Sequence, residues 1–474
     1  MKLSDVVHAL TAYKRSSVTR KNRAGDSRVP LLRSRRTAVL VVAAASLLGV
    51  GTSTTAAFAV GGRPPPRHTT TLFVTTTGSS SKSDTSCVTA GYAAIQTAVN
   101  AATAGQTVYV CPGTYGTQVT IDTSRITLTG AGNASVVEPT TSTPSTVNDL
   151  TSGQATVTII DVSPGTTGVT VKNLAVNGSG LQPNFKGCAD DFVGVLYQAS
   201  SGTLETATVG TIALPPALAG CQDGNAVIVE AGSDGRANVT IHGDTVTGFN
   251  KNGITCDGAG ANCTISGNTV VGLGATAKAA QNDVQIGFGA LGQVTHNTLQ
   301  DVDWTGATTK SEPQATYAAG VLVDGSAGVT RVQGNTLTND QIAIETTDSS
   351  STLQGNHISD TPGISGAIGV FAVTCTIYCS YFTLSPGREQ VWVASNSITF
   401  GTPTTGTTGI WVGDGAGSTT GSLLVDVTGN TISGAANNIV LGSTASGTVS
   451  TLPSPPGPPS RNPPGPPPRQ HPHH

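Results

Sequence analysis

The sequence predicts an all-β fold, a right-handed parallel β-helix. Two repeated phrases and the composition carry that expectation. The first phrase sets an apolar residue three positions before an Asn or Asp and a second apolar residue two positions after it. It occurs seven times, centred on Asp244, Asn268, Asn297, Asn335, Asn356, Asn396 and Asn430. The second phrase is a short run with alternating apolar residues, such as VIVE (227–230), ITCD (254–257) or VLVD (321–324), and it interleaves with the first. Of 474 residues, 11% are charged, 4% are aromatic and 59 are Gly, a balance that suits short strands joined by tight turns.

The chain opens with an expected export signal over residues 1–59. Basic residues precede the apolar run TAVLVVAAASLLGV, and Ala57-Phe58-Ala59 fits small-residue cleavage. The run is short for a spanning helix, which needs roughly 20 apolar residues, so no membrane span is expected after cleavage. Ser34-Arg35-Arg36 ahead of Thr37-Ala38-Val39-Leu40 resembles a twin-arginine signal. The long leader before it leaves a start downstream of Met1 open. Residues 60–87 read as a linker, 88–448 as the coil, and 449–474, rich in Pro, as an extended, disordered tail. A net charge of −3 offers no electrostatic footprint for nucleic acid or an anionic membrane.

The coil is expected to begin with a short amphipathic helix, because Ile95, Val99 and Ala102 fall on one helical face. TVYV follows as a strand, Pro112-Gly113 as a turn, and VTI and ITLTG as the first coils. Each later turn reads as at least two strands with a corner between them. Period-two alternation buries one strand face. Asn and Asp tolerate the left-handed backbone of a sharp corner, and stacked copies place each Asn above the next. The corners lie 21 to 40 residues apart, the spacing of a solenoid with loops of varying length. Crossovers between parallel strands are right-handed.

The stretch from Tyr92 to Gly132 resembles the capped start of pectin-lyase-like β-helix proteins, in which a helix plugs the open end of the coil. The Asn phrases resemble the parallel β-helix repeats of that superfamily. The resemblance spans roughly residues 88–445 and implies the fold rather than a chemistry, since one fold hosts many activities. Motifs of its enzymes are incomplete here. The Arg-rich signature of pectate lyases is absent. Asp190-Asp191 matches the Asp-Asp pair of polygalacturonases, yet their Gly-His-Gly and Arg-Ile-Lys are missing, and the likeness of Asp190–Gly194 to a pectin methylesterase motif is imperfect.

Eight cysteines in an exported chain read as disulfide-bonded. Nearest-neighbour pairing gives Cys87–Cys111, Cys188–Cys221, Cys256–Cys263 and Cys375–Cys379, although sequence does not fix connectivity. Zinc is the alternative, without a C-x-x-C pair to support it.

Aligning the second phrase puts Glu230, Asp257, Gly287, Asp324, Glu345, Phe371, Gly413 and Gly442 in one outward column. At about 4.8 Å between turns, Asp324 would face Glu345, and Glu230 would face Asp257. Bare carboxylates at that spacing repel by roughly 3 kcal/mol at an effective dielectric of 20. Three readings follow. Asp324 and Glu345 could act as the acid and nucleophile of a glycosidic cleavage. Glu230, Asp257, Asp324 and Glu345 could ligate Ca²⁺. Or the column is a solvated acidic strip. Trp411, outward by parity, and Trp304, after Asp301 and Asp303, are expected platforms for a sugar ring, with Asp283 nearby. Loops around 301–317 and 372–390 would flank a groove. Two functions therefore stand: a secreted protein that binds and cleaves a polysaccharide as a lyase or glycoside hydrolase, or a non-catalytic envelope scaffold or adhesin meeting a cell-envelope glycan.

Overall fold

The computed structural model describes residues 71–77, 83–232, 235–306, 317–360, 364–374, 388–401, 406–414, 422–442 and 445–450. The export signal, much of the expected linker, the Pro-rich tail, Cys375 and Cys379 lie outside them. The described chain is a right-handed parallel β-helix within one compact unit that starts at Thr69. One correction concerns its start. Thr71–Val74, expected in the linker, is a strand that pairs in parallel with Thr107–Val110. The expected helix is present as α1 (Ile95–Ala101), with Ile95, Ala98 and Val99 buried in the core.

One side of the coil is a twelve-stranded sheet, here the face sheet. After Val119–Ile121 and Ala155–Val162 its strands are β1 (Asp190–Gln198), β2 (Asn225–Glu230), β3 (Asn252–Asp257), β4 (Asn282–Gly287), β5 (Ala319–Asp324), β6 (Ile342–Thr347), β7 (Ile368–Thr374), β8 (Thr408–Asp414) and β9 (Asn437–Leu441). Every pairing along this path is parallel. Only Thr146–Asn148 runs antiparallel, against Ala155–Val162. The remaining strands pair in two further parallel stacks. One contains Ala237–His242 and Ala261–Ser266, and the other contains Thr245–Thr247 and Thr269–Thr276. Inward side chains of all three stacks form one continuous core from Leu72 to Val427. No turn could bury its apolar face alone, so stacking is what makes the core.

The Asn phrase is the corner between the two back stacks, and the corner residues form a hydrogen-bonded ladder. Asn335 is typical. Its Oδ1 accepts from the backbone N–H and the Nδ2 of Asn297, both at 2.9 Å. Its Nδ2 donates to Oδ1 of Asn356 at 3.0 Å and to the carbonyl of Val294 at 2.8 Å. The same pattern runs from Asn268 to Asn430. An amide is the group that both donates and accepts here, which explains why the chain repeats Asn at a buried position.

Asp244 begins the ladder and breaks its pattern. It accepts from Ala207 N at 2.7 Å through Oδ1 and donates its own N–H to Asn268. Its Oδ2 occupies the slot of an amide nitrogen and has no partner. In the next turn that nitrogen donates to the carbonyl of Ile241. The residue paired with Ile241 one turn earlier is Leu204, so Oδ2 meets a second acceptor unless it carries a proton. Burial, with Glu205 adding to it, pushes this carboxyl up to about 7.

Three of the expected disulfides are present: Cys87–Cys111, Cys188–Cys221 and Cys256–Cys263. The last joins β3 to the following back strand inside the core.

The ladder generates two expected outcomes. Asn335→Ala strands two buried donors and should cost about 3 kcal/mol or more, read as a lower urea midpoint at unchanged slope. Asp244→Asn should have the opposite sign. A folded-state pKa above the unfolded value means that the native carboxyl loses stability as pH rises from about 4 to about 7. The variant should match the parent near pH 4 and be more stable by a few kcal/mol at pH 8, in paired melts across that range.

Candidate functional site

The candidate site is the outer surface of the face sheet. Three outward columns run along it. The first holds Asn252, Asn282, Ala319, Ile342, Ile368 and Thr408. The second holds Thr255, Gln285, Leu322, Glu345, Phe371 and Trp411, and the third holds Glu230, Asp257, Gly287, Asp324, Thr347 and Val373.

These columns correct the sequence alignment. Glu345 pairs with Leu322, and Asp324 pairs with Thr347. Phe371 pairs with Trp411. The phrases IAIE and IGVF therefore sit two residues out of the expected register. A one-residue slip would turn every side chain to the other face, whereas a two-residue slip keeps parity. Alternation alone could not detect it. Asp324 and Glu345 share the face but do not stand in one column.

Glu230 is corrected as well. It is fully buried beneath the segment that follows Thr146–Asn148. Its Oε1 accepts from Gln198 Nε2 at 2.7 Å, and its Oε2 from Leu150 N at 3.1 Å and Thr151 Oγ1 at 3.3 Å. Oε2 holds the strap and Oε1 is taken by Gln198 of β1, so neither oxygen is free to ligate a metal on this face. Burial first, then Asp149, pushes it up to about 8. Val147 of the strap packs on the outer apolar cluster of Val193, Leu196 and Ile228.

Beyond the strap lies a buried polar lattice. Asn282 Nδ2 donates to Asn252 Oδ1 at 3.0 Å, and Nδ2 groups of both donate to Gln285 Oε1 at 3.4 and 3.0 Å. With its oxygen so occupied, Gln285 turns its Nε2 toward Gly287, where a Cβ would lie 3.4 Å from that nitrogen and 3.4 Å from Asp257 Oδ1. Gly287 thus forms a notch between Asp257 and Asp324, its partners on either side. Each of these carboxyls has a shielded Oδ1 with no partner. Burial, helped by Asp149, raises Asp257 to about 7. Burial, then Glu345, Asp348 and Asp257, drives Asp324 well above the usual carboxylate range. Beside the notch Phe288 is 45% exposed and held at φ +51°, donating its N–H to Asp324 O. The left-handed region is strained for a bulky side chain. Adjacent turns put Gly258 and Gly325 at this position.

Further along, Lys251 and Glu345 interact across the face. Burial raises Glu345 to about 7, opposed by Thr347 and Lys251. Burial lowers Lys251 to about 8, opposed by Glu345, and its Nζ donates to the carbonyl of Ala280. Tyr317 is raised by burial and by Glu345. It meets Phe371 edge-on at 6.4 Å between ring centroids, and Phe371 meets Trp411 at 6.0 Å. These rings form a cluster outside the coil. The indole N–H of Trp411 has no partner. Trp411 is therefore on the face that its parity predicted.

The other expected positions lie elsewhere. Trp304 ends a strand of a back stack, its backbone joined to Gln341 and its ring against Gly306. Asp301 lies within the back strand Thr298–Trp304, at an irregularity with φ +66°, and its carboxyl accepts from Asn339 and Gln300. Asp303 is raised by burial and by Asp360. Asp283 is fully buried inside the coil, which corrects its expected role in contacting substrate. Asp191 is buried too, accepting from Phe192 N, Gly224 N and Asn225 Nδ2. Sequence reasoning missed Lys251, Gln285, Phe288 and Tyr317. Phe288 alone had a signal, a bulky residue where adjacent turns carry Gly.

Register and core define the fold, a right-handed parallel β-helix. No protein-family model matches the chain, and no curated protein matches its sequence. Among solved structures it is similar to the A-module of a mannuronan C-5 epimerase from Azotobacter vinelandii, at 14% identity over 80% of this chain and 100% of that one, with a TM-score of 0.40. It is also similar to the GH136 lacto-N-biosidase from Eubacterium ramulus, at 12% identity over 80% and 68% with a TM-score of 0.45. A third is PfbA, a surface adhesin of Streptococcus pneumoniae, at 13% identity over 73% and 88% with a TM-score of 0.41. Similarity of this order bears on no residue of the site.

The electrostatic coupling on this face is directly measurable. Lys251→Met removes the charge that holds Glu345 down, so the Glu345 carboxyl should titrate above its parent value near 7 when followed by carbon NMR. An unchanged titration would mean that the two groups do not interact.

Proposed function

We propose that this chain is an exported protein that binds a polysaccharide along the outer surface of the face sheet. One observation carries the reading: carboxyl and amide groups adjoin aromatic rings on one outward surface. Asp257, Gln285 and Asp324 supply acceptors and a donor around Gly287, and Phe288 lies beside them. Tyr317, Phe371 and Trp411 follow within a few turns. Sugar rings bind through hydroxyl hydrogen bonds and stacking on aromatic rings. Three disulfides support export, since such bonds persist in oxidising compartments. Among the described residues no helix is long and apolar enough to cross a membrane.

A second reading, cleavage of the bound glycan, has its own support. Glu345 and Lys251 are displaced toward neutral pH from opposite directions, as acid–base pairs are. In that reading Glu345 and Asp324 act on the glycosidic bond, and Lys251 sets the protonation of Glu345.

The test is a panel of neutral and acidic polysaccharides, assayed for retention of the mature chain and for new reducing ends or unsaturated products. Binding should fall at least tenfold in Trp411→Ala and in Asp324→Asn. Cleavage, where present, should vanish in Glu345→Gln while binding persists. No retention by any glycan from folded protein would end the binding reading. Product formation that survives Glu345→Gln would end the catalytic one.

A further inference from the structure

Asp283 and Asp340 pose a problem that the outer face does not explain. Asp283 is 0% exposed, and neither of its oxygens has a close hydrogen-bond partner, although the backbone N–H of Gln300 lies near enough to favour its charged form. Asp340 is 4% exposed and has one partnerless oxygen, Oδ2. Its Oδ1 accepts only a long 3.4 Å bond from Val302 N. Three buried carboxyl oxygens therefore lack a close donor at one corner of the coil.

Glycine makes the room for them. Asn282 pairs with Ala319, which sets Asp283 beside Gly320 in adjacent turns. A Cβ on Gly320 would fall 2.6 Å from Asp340 Oδ2. The carboxyl of Asp340 thus takes up space that any other residue would need for its Cβ, and the carbonyl of Ala343 lies 2.8 Å from the same point. The nearby charges have the same sign. Asp301 acts on both carboxyls, and Asp360 acts on Asp340. No salt bridge reaches either acid among the described residues. Asp301 is already engaged by Asn339 and Gln300.

Two buried carboxyls without donors are tolerated when protonated or when a cation lies between them. The two cases differ in what they do with oxygen atoms. A shared proton would join the pair by a carboxyl–carboxylate hydrogen bond, and none links Asp283 to Asp340. An ion instead takes several oxygens from separated groups. Carboxylate oxygen is a hard ligand, and two carboxylates supply two negative charges. Calcium accepts bidentate carboxylates and irregular shells of six to eight oxygens, whereas magnesium demands near-octahedral order.

We infer that Asp283 and Asp340 hold a structural Ca²⁺ inside the coil, beside Gly320. Backbone carbonyls and trapped water complete its shell. The ion enters during folding and ties the turn of β4 to that of β6. It is separate from the polysaccharide surface, and neither proposal rests on the other.

The test uses the full chain, refolded in CaCl₂, MgCl₂ or EGTA and freed of loose ions by gel filtration. Elemental analysis should find one Ca²⁺ per chain after calcium refolding, and Tm should lie above that of the EGTA sample. The gain should grow from pH 5 to pH 8, as carboxylates ionise to bind metal. Asp340→Asn and Asp283→Asn should each lose the ion, whereas Asp324→Asn on the outer face should keep it. The wild-type metal content decides the matter even if Asp283→Asn fails to fold. Absence of bound calcium, or calcium retained in Asp340→Asn, overturns the site. So does an Asp340→Asn variant more stable than the parent in both CaCl₂ and EGTA, which would mark the pair as buried carboxylic acids. Equal retention of Mg²⁺ overturns the assignment of calcium.

Discussion

One buried amide per turn holds this coil in register. The ladder from Asn268 to Asn430 joins successive turns through the Nδ2 of one Asn and the Oδ1 of the next, with further bonds to backbone. Apolar side chains alone would let a turn slide, because the hydrophobic effect has no direction. Hydrogen bonds to buried groups do have direction, and a slipped turn would strand donors and acceptors that no water reaches. The columns of the face sheet inherit their alignment from that corner. The spacing of every outward group on the face, from Asp257 to Trp411, depends on it.

The corner was legible because it repeats. Seven phrases with fixed apolar flanks named the residues, and the alternating runs named the inward faces. Adjacent cysteine pairs were legible for the same local reason. What escaped was information held between distant segments. Alternation fixes parity but not a two-residue slip, so IAIE and IGVF were aligned one rung away from their true partners. Glu230 read as an exposed acid because nothing in its own strand announces the strap that covers it from Leu150 and Thr151. Asp283 directly precedes a strand phrase, and nothing in that phrase announces that its side chain is fully buried. Lys251 and Glu345 lie 94 positions apart in the numbering, and only the stacking of turns brings them within electrostatic reach.

The acids of this chain fall into distinct groups. Asp191 and Glu230 are buried with donors on their oxygens, and they fasten a corner and a strap. Asp244 stands in for an Asn at the end of the ladder. Asp283 and Asp340 are buried with three oxygens between them that lack a close donor. Asp257, Asp324 and Glu345 line the outer face, shielded enough that burial is the first cause of each upward shift. In water carboxyls so close would simply repel. Here a low local dielectric makes protonation, metal binding and hydrogen bonding the available outcomes. The outer group differs from the rest in adjoining aromatic rings and one lysine, and the proposed glycan site rests on that neighbourhood.

The outer surface of the face sheet is the proposed place of ligand binding. Hydroxyl-radical footprinting with and without a retained oligosaccharide tests this most directly, because aromatic side chains are the most reactive probes and they are few. Protection should appear at Phe288, Tyr317 and Trp411 together, while Trp304 and Trp392, the latter paired with Thr352 in a back stack, keep their reactivity. Protection of Trp304 or Trp392, with Phe288, Tyr317 and Trp411 unchanged, would contradict the account and move the site to another side of the coil.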